Sequence, residues 1–135
     1  MRKPWATFSL IVFLIVVTVL LFGYSRNEVQ RASDIKAAIR ATGGSPDRGK
    51  NMIRYYGCGS CHTIPGIAEA DGKVGPPLND FALRIYIAGE LPNTPQNLLT
   101  WIRHPHSVRQ NTAMPEMNVS DQDSSDIAAY LYTLH

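Results

Sequence analysis

The chain has two cysteines, and both fall in one five-residue run, Cys58-Gly59-Ser60-Cys61-His62. Two thiols one helical turn apart, followed at once by an imidazole, is the spacing of c-type haem attachment: the sulfurs add to two vinyl groups and the histidine reaches the iron. Three other uses of the pair compete. A zinc site needs two further ligands, and although His104 and His106 can be nominated, that i, i+2 pair lacks the usual finger spacing. A thioredoxin-like pair belongs at a helix start after a strand in an α/β pattern, which is not seen here. A structural disulfide would close so short a loop that it constrains little of the unfolded chain, and it leaves His62 without a role.

A six-coordinate haem iron needs a second axial ligand from the far side of the ring, and a thioether raises the potential relative to a second imidazole. Met114 and Met117 are the candidates. Met114 lies in Thr112-Ala113-Met114-Pro115, a proline-bounded loop suited to holding a sulfur in place, whereas Met117 reads equally well as packing. His104, His106 and His135 are lesser candidates.

A second constraint lies at the other end of the sequence. From Trp5 to Tyr24 no residue is charged, and Leu10 to Phe22 are almost wholly Leu, Ile, Val and Phe. About twenty such residues cross a bilayer core as a helix. Trp5 and Tyr24 stand where interfacial aromatics belong. A signal peptide is the competing reading, since Arg2-Lys3 precedes the run, but the apolar stretch is long for one and Phe22-Gly23-Tyr24-Ser25-Arg26 offers no small-x-small cleavage site. Positive charge flanks both sides of the span, so charge alone leaves its orientation open. Covalent haem attachment outside the cytoplasmic membrane places the downstream domain on the periplasmic face.

The remaining residues divide into a polar segment and a folding domain. The expected organisation is an anchor over 1–24, a tether over 25–44 and a haem domain over 45–135. Along the tether Val29, Ala32, Ile35, Ala38 and Ile39 recur at helical spacing as far as Gly43-Gly44. Ser45-Pro46-Asp47 is a helix start, and Ser120 with Asp123 is another, leading into Ile127, Ala128, Tyr130, Leu131 and Leu134. Helices are expected also over Asn79–Tyr86 and Pro95–Arg103, with loops rich in Gly, Pro and Asn between them. No period-two strand pattern of useful length occurs, so the fold class is all-α. Residues 45–135 carry seven basic against nine acidic side chains, which removes the basic footprint of a nucleic-acid binder. With 44% hydrophobic residues the chain can fold, yet a domain of this size buries a low fraction of its surface, so a prosthetic group is expected to fill its centre.

From about Ser45 to His135 the residues resemble the class I cytochromes c. The match extends beyond Cys58, Cys61 and His62. Gly49 followed by Ile53 is similar to the family's N-terminal helix, which packs on a C-terminal helix here represented by Ile127, Tyr130 and Leu131. Gly75-Pro76-Pro77-Leu78 resembles the proline segment whose backbone carbonyl, here that of Pro76, accepts the proximal imidazole N–H. The resemblance further implies Arg84 near a haem propionate, Trp101 and Ile102 lining the cavity, and His62 and Met114 as iron ligands. The stretch between Arg84 and Pro95 is short for the mitochondrial type, which leaves the propionate partners open, with Tyr86 and Asn93 as candidates. The apolar span resembles the anchors of membrane-tethered bacterial cytochromes.

What the resemblance implies is a membrane-anchored periplasmic carrier with one covalent haem c, moving single electrons in a respiratory chain, from a quinol:cytochrome c reductase to a terminal oxidase. The alternative is the same domain fixed as a subunit of an oxidase or dehydrogenase complex. With both axial positions filled, and no nucleophile–base pair, carboxylate dyad or phosphate loop elsewhere, the chain reads as no enzyme in its own right.

Overall fold

The computed structural model describes residues 4–135, with side chains from residue 8 onward. Arg2, Lys3 and the Trp5 side chain, which entered the reading of the span, lie outside that range. The chain forms two compact units, divided between Ser33 and Asp34.

The first unit is helical. Helix α1 spans Pro4–Thr42, and within it the stretch from Phe8 to Phe22 presents its large apolar side chains outward on every side. A helix that is apolar all round, with none of this face buried, is long and apolar enough to cross a bilayer. Two of its hydroxyls bond back within the helix: Thr18 donates to the carbonyls of Leu14 and Ile15, both at 2.8 Å, and Ser25 to that of Leu21 at 2.7 Å. Such back-bonding gives these two hydroxyls partners that lipid cannot supply.

The second unit, Asp34–His135, opens with the last turns of α1, so Asp34–Thr42 belongs with the folded domain. Of the apolar tether positions in it, Ala38 is buried, whereas Ile35 and Ile39 remain exposed. Helices α2 (Pro46–Tyr55) and α5 (Asp121–Leu131) start at Ser45 and Ser120, whose hydroxyls accept from the Arg48 and Asp123 N–H groups. Thr94 caps α3 (Pro95–Arg103) in the same way, and α4 (Pro105–Val108) follows after one residue. The chain leaves α2 through Gly57, whose φ of 68° is a left-handed conformation that glycine adopts freely. A 3-10 turn over Cys58–Ser60 comes next.

The helix expected over Asn79–Tyr86 does not form. In its place stand a 3-10 turn at Phe81–Leu83 and a short antiparallel hairpin, β1 (Tyr86–Ile87) with β2 (Leu91–Pro92). Asp80 takes a left-handed φ, which stops a helix at its start, and the Asn93 side chain donates to the carbonyls of Phe81 and Arg84 that a helix would need.

Helices α2 and α5 cross at close backbone approach. A Cβ on Gly49 would lie 1.9 Å from the Asp126 carbonyl oxygen, so no larger residue fits. Ile53, Ala128 and Ala129 are almost fully buried at the crossing. The Asp126 side chain, also buried, fastens it: the carboxylate accepts from the Ser45 N–H at 2.6 Å, from Arg48 Nε at 2.7 Å and Nη2 at 2.9 Å, and from Gln122 at 3.1 Å. Burial alone would raise the carboxyl's pKa, but these charge-assisted bonds outweigh it and hold the group below the usual carboxylate range. A pKa depressed on folding means stability that is full above the unfolded value of about 4 and lost as pH falls through the folded one. In denaturant unfolding of the holoprotein, Asp126→Asn is therefore expected to be less stable than wild type at pH 7, with the gap narrowing below about pH 4; a gap independent of pH would contradict this account.

Candidate functional site

The core of the second unit surrounds an apolar pocket that opens to solvent; its empty space, open mouth included, is about 580 Å³. Each helix of the core contributes to its wall: Ile53 from α2, Leu98, Trp101 and Ile102 from α3, Ile127 and Leu131 from α5. Loops supply the remainder, namely Cys58, His62, Ile64, Leu78, Phe81, Met114, Met117 and Val119. Leu98, Trp101 and Ile102 share the i, i+3, i+4 spacing that puts side chains on one helix face.

Cys58 opens the 3-10 turn and Cys61 follows it, with no disulfide between them, and the turn closes through hydrogen bonds from the Cys61 and His62 N–H groups to the Cys58 carbonyl. Burial pushes the Cys58 thiol's pKa up. Among the described residues no three His, Cys, Asp or Glu side chains form a metal-binding group, so the zinc alternative gains no support from the geometry.

His62 Nδ1 lies 2.8 Å from the Pro76 carbonyl oxygen. A carbonyl can only accept, so the proton sits on Nδ1 and the lone pair of Nε2 is left for a ligand bond. The ring is also boxed in by its neighbour: a Cβ on Gly75 would lie 2.3 Å from His62 Cε1 and 2.6 Å from Nδ1. Gly59 and Gly72 approach Ala70 and the Ser60 carbonyl in the same tight manner, so the turn bearing the motif is packed glycine against backbone.

Met114 is half-buried at the pocket, its N–H donating to Thr112 Oγ1 at 3.2 Å. Glu116, two residues on, lies between His104 and His106 at 3.6 Å from each and accepts from the His106 N–H at 3.4 Å, tying the methionine loop to the end of α3 and to α4. Met117 also lines the pocket but is more open to solvent.

Cys58, His62, Met114, Trp101 and Ile102 thus converge on one cavity, while Cys61 sits on the turn beside it. Pro76 reaches the site through its carbonyl. Arg84 does not line the pocket; its guanidinium donates to the carbonyls of Pro77 and Asn79. Of the other propionate candidates, Tyr86 is exposed and the Asn93 amide is engaged with backbone. Sequence reasoning passed over Gly75 as a packing position, and over Leu98, Ile64, Phe81 and Val119 as wall residues. Leu98 was within reach through its helical spacing from Trp101 and Ile102, but the loop residues carry no periodic signal.

The family model for cytochrome c matches residues 46–135. The chain belongs to the cytochrome c family. As a cytochrome c it is an electron-transfer haem protein, and its haem c is covalently bound. The site suits that group: two thiols and an imidazole at one edge of a cavity walled by aliphatic and aromatic side chains and a thioether. The chain is also similar to a cytochrome c oxidase subunit 2 of Alkalihalophilus pseudofirmus, 35% identical over 89 residues, 65% of this chain and 25% of that protein. It therefore spans about a quarter of the length of that relative. No solved structure matches the chain.

With so little room above His62, Gly75→Ala forces either the ring or the proline segment to move. We expect it to destabilise the holoprotein by about 1–3 kcal/mol, the usual cost of overpacking, and to alter the haem absorption spectrum. A wild-type melting curve and spectrum would show that the ring has freedom the contacts deny it.

Proposed function

We propose that this cytochrome c is a membrane-anchored one-electron carrier of a respiratory chain, with its haem domain on the periplasmic side. Residues 1–24 anchor it, 25–44 lead from the anchor, and 45–135 hold the haem, with Asp34–Thr42 packed as part of the folded unit. Cys58 and Cys61 would form the thioether links and His62 and Met114 would hold the iron, with Trp101 and Ile102 beside the group. When bound, the haem supplies reversible one-electron exchange at its iron. The chain's own residues fix the imidazole tautomer, present a sulfur, and keep water from the cavity.

The observation that carries this reading is that His62, held by the Pro76 carbonyl, lines the same apolar pocket as Met114. Two occupied axial positions leave no site for substrate, which suits electron transfer alone. The apolar helix supports membrane attachment, and attachment keeps a weakly docking domain near membrane partners at high effective concentration. The donor we propose is a quinol:cytochrome c reductase and the acceptor a terminal oxidase.

A second reading has the domain fixed within an oxidase or dehydrogenase complex, and the relative named as an oxidase subunit favours it. Extraction of the native membrane protein in mild detergent separates the two. A free carrier is recovered mainly alone, whereas a stoichiometric oxidase or dehydrogenase complex would replace the first reading with the second.

The ligand assignment has its own test. Met114→Ala is expected to lose the absorption signature of thioether ligation and to lower the midpoint potential, because the sulfur favours the ferrous state. Met117→Ala should leave both close to wild type; the reverse pattern would move the ligand to Met117.

A further inference from the structure

We infer that Arg84, Asn93 and Tyr132 form a hydrogen-bonded brace that holds the proline segment against His62, and so sets the donor strength of the imidazole. The inference rests on the reading of His62 as the iron ligand.

Prolines have no N–H, so residues 76 and 77 can be held through their own backbone only by what their carbonyls accept. The Pro76 carbonyl takes the His62 Nδ1–H at 2.8 Å. Backbone bonds fix the two flanks: the Gly75 N–H donates to the Cys61 carbonyl and the Leu78 N–H to the Thr63 carbonyl, both at 2.8 Å. Between them the Pro77 carbonyl accepts from Arg84 Nη2. The same nitrogen donates to the Asn79 carbonyl at 3.1 Å, and the guanidinium stands 5.3 Å from the Phe81 ring centre, so one planar cation spans the segment.

Arg84 is itself held from behind. Asn93 Nδ2 donates to the carbonyls of Arg84 and Phe81, each at 3.0 Å, and Asn93 Oδ1 accepts from the Tyr132 hydroxyl at 2.9 Å. The Tyr132 ring packs edge-on to Phe81 with centroids 6.0 Å apart. Burial pushes the Tyr132 hydroxyl up to about 12, so it remains a donor at working pH. The brace thus runs from the C-terminal end of α5 through Asn93 and Arg84 to the carbonyl beside Pro76. The resemblance places Arg84 at a propionate instead; Asn93 and Tyr132 separate the two roles, because the Asn93 donors and acceptor are already spent within the brace.

The test uses the full-length haem-loaded protein with Tyr132→Phe, Asn93→Ala and Arg84→Gln. Two quantities are read: exchange of the His62 Nδ1 proton by NMR in the reduced state, and the midpoint potential. Each variant is expected to speed that exchange by on the order of tenfold, the factor a net hydrogen bond can carry. Each should also raise the potential, since a looser acceptor makes the imidazole a weaker donor and the ferric state less favoured. Tyr132→Phe keeps the ring and carries the test if a more drastic variant does not fold. Unchanged exchange and potential in Tyr132→Phe and Asn93→Ala, in protein with normal haem content, would overturn the brace and leave the functional reading standing. A shift confined to Arg84→Gln that follows propionate titration would also overturn it. Wild-type protein lacking covalent haem would bring down the functional reading first, and the brace with it.

Discussion

At the crossing of α2 and α5 the two backbones meet with no side chain between them at position 49. The pocket walls depend on this contact, because Ile53 on one helix and Ile127 and Leu131 on the other reach the cavity only while the helices stay in that register. Glycine supplies the closeness but no cohesion. Cohesion comes from Asp126, which is buried and yet charged. Its partners are the first N–H of the α2 start, an arginine one turn on, and a glutamine from its own helix. A buried charge is tolerated where its lone pairs are met in this way, and one that loses a partner is strongly destabilising. The carboxylate therefore locks the register of the crossing.

The cavity that this crossing frames explains why the domain needs its prosthetic group. A unit of about a hundred residues with long loops has few side chains to spend on a centre, and here the residues that would fill one stand around an opening instead. On the proposed reading, haem attached at Cys58 and Cys61 beside Leu98, Trp101 and Ile102 would take the place of that missing core. Fold and cofactor are then one problem for this sequence, which is why its strongest functional signal and its strongest structural signal are the same five residues.

That coincidence governs how much could be read in advance. Cys58, Cys61 and His62 were legible because covalent attachment demands adjacent residues in a fixed order. The starts of α2 and α5 were legible because capping is local chemistry: Ser45 and Ser120 each accept from the third N–H beyond them. The stretch from 79 to 86 was misread for the complementary reason. Its fate is set by Asn93, which takes two carbonyls a helix would have used, and by Tyr132 far along the chain, which fixes Asn93. Neither bond leaves a mark on the local pattern. The role of Gly75 was hidden likewise, since only the folded ring of His62 shows that nothing larger fits.

The two faces of the site are built differently, and the difference follows from what each must hold. On the His62 face, glycines press backbone against backbone, and carbonyls that no proline N–H can reciprocate are met by side-chain donors. On the Met114 face the sulfur rides a loop whose ties are a threonine hydroxyl and the contacts of Glu116 with His104 and His106, all on partly or fully exposed groups. Exposed pairs of this kind contribute little, and segments with few buried contacts open at lower free energy than the core. The imidazole side is thus the fixed wall and the thioether side the one that yields first. If the chain is the carrier proposed above, meeting two partners in turn, that asymmetry has a use: the attachment at Cys58 and Cys61 and the fixed His62 would keep the haem in place while the loop adapts to each surface.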